Sequence, residues 1–293
     1  MNYDIRQITT YRYGAPVGHA HHVLRLMPLE RPGQKVRSIQ LDIEPKPALR
    51  RDGSDFFGNP LTRIDIDSAH DRLVIQLATR VTVDSAAPPP AVATPSWQAV
   101  RDRAAVSTDL RPPGPAHGLF PSRLVTVEPD ITAYARESFA ARRPVLEGAR
   151  DLAARIKRDF AYVPGATNVS TPPRVCFAER RGVCQDFAHV MIAGLRGLGL
   201  PARYVSGYLR TVPKNDGQRL AGAADDAMHA WVQVWCGEPH GWIGLDPTND
   251  MVAGNDHIVV AVGRDYADVA PVAGVVLLSG AQQLEVAVSV TPI

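Results

Sequence analysis

The 293-residue chain is expected to adopt an α+β fold: an N-terminal β-sandwich, then, beyond a proline-rich stretch, a helix packed on an antiparallel sheet. Three observations predict this. Short runs in the first 84 residues alternate apolar and polar side chains. Proline clusters follow between Ser85 and Pro121. Beyond them, helical stripes give way to strand-like runs. Hydrophobic residues make up 45% and charged residues 21%, the balance of a folded chain rather than a disordered one.

Tyr3–Tyr13, Val36–Ile43, Leu61–Asp67 and Leu73–Val83 carry the two-residue period of half-buried strands. Arg31-Pro32-Gly33, Arg51-Asp52-Gly53 and Gly58-Asn59-Pro60 supply the turns between them, so residues 1–84 form the sandwich. His19, His21 and His22 lie close in sequence, but no carboxylate or cysteine pattern completes a metal site, and they read as a loop or strand edge. Residues 85–145 read as a proline-rich linker with short helices: Pro88-Pro89-Pro90 cannot join a ladder, and Pro112, Pro113 and Pro115 follow. Ser96 is placed to cap a helix over Trp97–Val106, and Asp130 one running through Ala140.

Residues 146–293 form the third part. Leu152, Ile156 and Phe160, four apart, make one apolar helical stripe that Pro164-Gly165 ends. A loop, Ala166–Pro173, leads to a helix from about Cys184, with Phe187, Val190, Met191, Leu195 and Leu198 on its buried face. Gly197, Gly199 and Pro201 stop it. Strands are expected at Ala202–Leu209, Met228–Cys236, Trp242–Leu245, His257–Val262 and Gly274–Val290, all assigned to this part.

Thirty-two basic against thirty acidic residues leave a net charge of +2, which supports neither a nucleic-acid partner nor an anionic membrane surface. The apolar run Val269–Leu278 is broken by Pro271 and Gly274 and falls far short of the ~20 residues of a span. Cys176, Cys184 and Cys236 are odd in number and lack metal-like spacing, and the first residues show no secretory pattern. A reducing, cytoplasmic location is expected.

Three segments carry chemistry. Gly182 permits a sharp turn just before Cys184, which opens a helix; unpaired N–H groups and the helix dipole there favour a thiolate and can receive an oxyanion. Read alone, a cysteine placed like Cys184 is more often a small buried hydrophobe than a nucleophile. In Met228–Cys236, alternation puts His229 on one face with Trp231, Gln233 and Trp235, a partly desolvated setting that suits a base near neutral pH. Asp246 closes the next strand before Pro247, where a plain turn role would also explain it. If the connection through Gly237-Glu238-Pro239-His240 forms an even-numbered loop, His229 and Asp246 share a face. A nucleophile, a base and a group that fixes the base's tautomer are thus all present, in the order Cys, His, Asp.

These segments, with Leu198–Tyr208, His229-Ala230-Trp231-Val232, Gly241–Asn249 and Val260–Pro271, resemble bacterial transglutaminase-like proteins, in the form that carries a β-rich N-terminal domain. The resemblance implies a papain/transglutaminase-like core with Cys184 as nucleophile, His229 as general base and acid, and Asp246 as its orienting partner. The family spans peptidases, amidases and amide-transferring enzymes; thiol-dependent acyl transfer on peptide or isopeptide amides through a Cys184 thioester is expected, with hydrolysis slightly favoured over amine transfer. Tyr162 and Gln185 are candidates for a second oxyanion donor beside the Cys184 N–H. Trp231, Trp235 and Trp242 read as core in at least two cases. No cofactor or metal is expected; Asp225-Asp226 is too sparse for calcium and reads as a solvated turn. A binding or scaffolding module that keeps the fold, or an acetyl-transferring enzyme with the same triad, are the alternatives.

Overall fold

The structure is a computed structural model and describes residues 1–210, 228–276 and 280–293. The chain opens with six strands: β1 (Asn2–Val17), β2 (Ala20–Leu24), β3 (Gln34–Glu44), β4 (Leu49–Ser54), β5 (Pro60–Ile66) and β6 (His70–Val83). Helices α1 (Trp97–Ala105), α2 (Pro129–Arg136) and α3 (Val145–Asp159) follow, then β7 (Ala161–Tyr162), α4 (Pro173–Glu179), β8 (Arg181–Gly182) and α5 (Cys184–Gly197). The remainder is β9 (Ala202–Leu209), β10 (His229–Trp235), β11 (Trp242–Asp246), β12 (Met251–Val252), β13 (His257–Gly263), α6 (Tyr266–Val269), β14 (Val272–Val276) and β15 (Gln282–Pro292).

Two four-stranded sheets, ordered β15-β1-β6-β3 and β14-β2-β5-β4, make the sandwich. Its core comes from alternation: Tyr3 and Ile5 of β1, Ile64 and Ile66 of β5, and Leu73 and Ile75 of β6 are buried. Two features depart from the sequence reading. The C-terminal strands do not extend the third part; β15 pairs with β1 and β14 with β2, so the chain returns to complete both sandwich sheets. Residues 85–145 are also more than a linker, because Trp97, Val100, Ile131, Tyr134 and Ala135 are buried in the core that contains α3 and α5. Ser96 caps α1 through the Ala99 N–H as expected, whereas Asp130 sits in the first turn of α2 behind Glu128 rather than capping it. Strands β2 and β4 and helix α4 escaped the pattern. The histidines of β2 blur its alternation, β4 is exposed along its length, and α4 spans only seven residues.

A five-stranded sheet runs β12-β11-β10-β9-β13 with antiparallel neighbours. Helix α5 packs on the Ala230, Val232 and Val234 face of β10. Trp231 takes the other face with Val205, Val259 and Val262, toward Leu29 and Phe57 of the sandwich. Gly207, opposite His229 in the register, leaves room for the Trp231 ring; a Cβ there would stand 2.4 Å from it. Strand β13 is an edge whose outward backbone the sandwich satisfies with amide side chains. Gln34 Nε2 donates to Val259 O (2.7 Å) while its Oε1 accepts from Val259 N (2.8 Å), and Asn59 does the same to Val262 (2.8 Å each way).

Candidate active site

Cys184 is the first residue of α5, where the leading backbone N–H groups lack helical partners. The turn into it is fixed by Asp186, whose Oδ2 accepts from Val183 N (2.8 Å) and from the Thr167 hydroxyl. Gly182 is required by that approach, since a Cβ there would lie 2.7 Å from Asp186 Oδ2. Burial raises the Asp186 carboxyl above its ordinary range despite both donors. The short parallel pairing of β7 with β8 puts Tyr162 beside Gly182 and so next to the turn that leads into Cys184.

The β10–β11 register pairs Trp235 with Trp242 and Val232 with Leu245, closed by the even-numbered loop 236–241. His229 and Asp246 therefore share a face, offset by two, as the even-loop geometry requires. His229 Nε2 and Asp246 Oδ2 are 2.9 Å apart, and both side chains are fully buried. Among the described residues Nδ1 of His229 has no hydrogen-bond partner, yet Cys184 is near enough to add to the ring's proton affinity. Burial opposes a charge on His229, but the Asp246 carboxylate and then Cys184 outweigh it and push its pKa up to about 10. Burial likewise opposes charge on Asp246, and His229 and His257 more than offset it, so the carboxyl is held well below its usual range.

Five donors converge on Asp246. Oδ2 accepts from His229 Nε2, from His257 Nε2 (3.2 Å) and from Asn249 Nδ2 (2.8 Å). Oδ1 accepts from Thr248 N (2.9 Å) and Asn249 N (3.2 Å). Sequence reasoning missed His257 and Asn249; the available signal for the former was a histidine opening the otherwise apolar run Ile258–Val262. The ligand atoms of His229, Asp246 and His257 lie within 4.8 Å of one another, close enough to consider a metal. The donor set argues for hydrogen bonding instead: Gly254 N donates to His257 Nδ1 (3.4 Å), which leaves the proton on Nε2, where a metal would need a lone pair.

Of the two candidate second donors, Gln185 is committed to holding Val169 O (3.1 Å). Tyr162 makes no hydrogen bond among the described residues, and burial, with Cys184, Asp186 and Asp246 nearby, pushes its pKa up to about 12, so its hydroxyl keeps a proton to donate. Trp231 is core, and Trp242 donates from Nε1 to Pro113 O (2.7 Å) beneath the Arg203 guanidinium. With Arg31, Gln34, Gln233 and His257 these two tryptophans line a cavity of about 240 Å³ between the sheet and the sandwich, and Cys184 is not among its walls. His19 and His21 pair with Asp67 and Asp65, while His22 is buried against Tyr11, so the three N-terminal histidines do not converge. Asp225-Asp226 lies outside the described residues.

A cysteine at a helix N-terminus beside a histidine and an aspartate on an antiparallel sheet is the papain/transglutaminase-like arrangement. Residues 3–82 match the bacterial transglutaminase-like N-terminal region, and residues 132–247 match the transglutaminase-like superfamily. An uncharacterized protein of Mycobacterium tuberculosis is 36% identical over 306 residues, covering 99% of this chain and 92% of that relative. The chain belongs to the transglutaminase-like family, in the form with the N-terminal β-rich region. A protein-glutamine gamma-glutamyltransferase of Pseudomonas aeruginosa is 40% identical over 91 residues, 30% of this chain and 13% of that protein. A crystal structure from Cytophaga hutchinsonii, provisionally described as a cysteine protease, superposes with a TM-score of 0.72 at 22% identity, over all of this chain and 91% of that one, a likeness of fold.

Proposed function

We propose that the protein is a thiol-dependent acyl-transferring enzyme that opens peptide or isopeptide amides through a Cys184 thioester, with water favoured over an amine as the final acceptor. One observation carries this reading: Asp246 holds one nitrogen of a buried histidine that Cys184 also approaches, and among the described residues no hydrogen bond occupies the other nitrogen.

The Cys184 thiolate forms a C–S bond to the amide carbon, and the carbonyl electron pair moves onto oxygen. The Cys184 N–H and the Tyr162 hydroxyl receive that oxyanion. Its collapse breaks the C–N bond, and His229 Nδ1 delivers its proton to the departing amine. His229 then takes a proton from water as the hydroxyl attacks the thioester; the acid leaves and the thiolate–imidazolium pair returns. Asp246 holds Nε2–H throughout, which leaves Nδ1 free for this traffic. Cys176, Cys184 and Cys236 are free thiols, in keeping with a reducing, cytoplasmic setting.

Limiting iodoacetamide at about pH 6.5, with peptide mapping, tests the reading. Rapid labelling confined to Cys184 and abolished in Cys184→Ala is expected. Labelling that is equal in the variant, or that rises only near the ~8.5 of an isolated thiol, would reject it and favour a binding module.

A further inference from the structure

We infer that His257 is a positioning residue of this site: by donating Nε2–H into Asp246 it fixes the carboxylate's orientation and limits how strongly it holds the His229 proton. The inference rests on the catalytic reading of Cys184, His229 and Asp246.

The tautomer follows from geometry. Gly254 N–H points at His257 Nδ1, so that nitrogen accepts and the ring proton sits on Nε2, 3.2 Å from Asp246 Oδ2. His229 Nε2 reaches the same oxygen at 2.9 Å. Two imidazoles thus share one carboxylate oxygen, and the negative charge available to either falls when the other donates. His257 is 3% exposed, with the Trp231 ring edge-on at 5.1 Å, so water cannot replace its hydrogen bond without rearrangement. A residue that only filled space here would need no polar atom, and burying one unpaired is costly.

The mount is unusually well fixed. His257 pairs with Leu209 in the β9–β13 ladder. Two residues on, Gln34 clamps both backbone groups of Val259, and Asn59 does so at Val262. The groups that bear on His229 are Cys184 from α5, Asp246 from β11 and His257 from β13; Tyr162 from β7 in turn feels Cys184, Asp186 and Asp246.

The test compares His257→Gln, which keeps an N–H donor, with His257→Leu, which keeps bulk and loses it. The readouts are His229 titration by imidazole ¹⁵N NMR and the rate of Cys184 acylation by an activated ester. In the Leu variant the His229 midpoint should rise by about half a pH unit or more, because Asp246 then concentrates its charge on one imidazole. Acylation should fall roughly tenfold, the low end for losing a group that orients a catalytic ligand. The Gln variant should lie within about twofold of the unmodified protein. A Leu variant with an unchanged midpoint and rate would overturn the inference, as would equal losses in both variants. Should the Leu variant not fold, the ring proton of the unmodified protein decides: His257 protonated at Nε2 supports the inference and at Nδ1 refutes it. Failure of the catalytic reading would look different, as a Cys184 inert to ester whichever tautomer His257 adopts.

Discussion

Replacing Asp246 by Asn tests the site more sharply than deleting it. The carboxylate accepts from His229, His257, Asn249 Nδ2, Thr248 N and Asn249 N, five groups that all donate to it. An amide keeps one oxygen and gains an NH₂. Turned one way, that NH₂ opposes the two backbone N–H groups; turned the other, it opposes both imidazoles and the Asn249 amide. At least two buried donors are then orphaned, at about 1–3 kcal/mol each. His229 also loses its counter-charge, and breaking a buried pair from one side costs about 3–5 kcal/mol. These overlap rather than add, so we expect a loss of about 3–5 kcal/mol. Thermal unfolding should report this as a fall of roughly 10 °C. Reactivity should suffer more. With the carboxylate gone, only Cys184 still opposes burial, the largest influence on His229, and the balance moves toward the neutral ring. In the serine-protease triad the corresponding amide costs about 10⁴ in rate, and here Cys184 acylation should drop by about 10³ or more. A variant that melts within about 2 °C of the parent and acylates within tenfold would show that Asp246 neither supports the fold nor orients His229.

Tyr162→Phe removes a hydroxyl that interacts with Cys184 and has no hydrogen bond among the described residues, and it should lower ester acylation about 10²-fold while leaving the melting temperature nearly unchanged; an equal rate would remove Tyr162 from the proposed oxyanion site. Asn59→Leu leaves both backbone groups of Val262 unpaired in the interior and should cost about 2–5 kcal/mol in urea titrations, whereas a loss under ~1 kcal/mol would mean that water replaces the amide. Burial pushes both His22 and His189 down to about 4, so the unfolded chain binds protons that the folded chain refuses as pH falls from 6.5 toward 4, and stability should decline by a few kcal/mol over that interval. His189→Gln, whose amide oxygen can still accept from Tyr266 N–H, should flatten this acid slope; an unaltered slope would place the proton uptake elsewhere. The His229–Asp246 pair acts in the opposite sense: its contribution is complete between about pH 4 and 6.5 and is lost as pH rises toward 10, so His229→Gln should show a shallower alkaline decline.

How much of this was legible depends on how local each cause is. The start of α5 was readable because Gly182, Cys184 and the apolar stripe that follows are consecutive. The shared face of His229 and Asp246 was readable because hairpin parity is a property of loop length. His257 was not, since its role exists only once β13 lies beside β9 and its ring reaches across to the end of β11. The return of β14 and β15 to the sandwich was equally hidden. Alternation marks a strand without naming its partner, and their partners lie some 250 residues earlier in the chain. The boundary drawn at residue 145 failed for a related reason: proline clusters flag irregular backbone, but they say nothing of the buried Trp97 and Tyr134 between them.

The sandwich has a physical role in this architecture that does not require it to touch substrate. Strand β13 is an edge of the five-stranded sheet that carries His229 and Asp246, and an edge with bare N–H and C=O groups is free to slip or fray. Gln34 and Asn59 occupy the place of a missing neighbour strand, each amide offering one donor and one acceptor at backbone spacing. Tyr208, in the adjacent β9, is tied to the sandwich too, its hydroxyl within 2.6 Å of Gln7 Oε1 and 2.9 Å of Leu26 O. Since β14 and β15 close both sandwich sheets, the chain that leaves β13 through α6 is anchored at its far end as well. A slip of one residue in β13 would carry His257 to the opposite face and away from Asp246. The N-terminal domain thus bears on the site through register: it holds the strand that holds the histidine that holds the carboxylate.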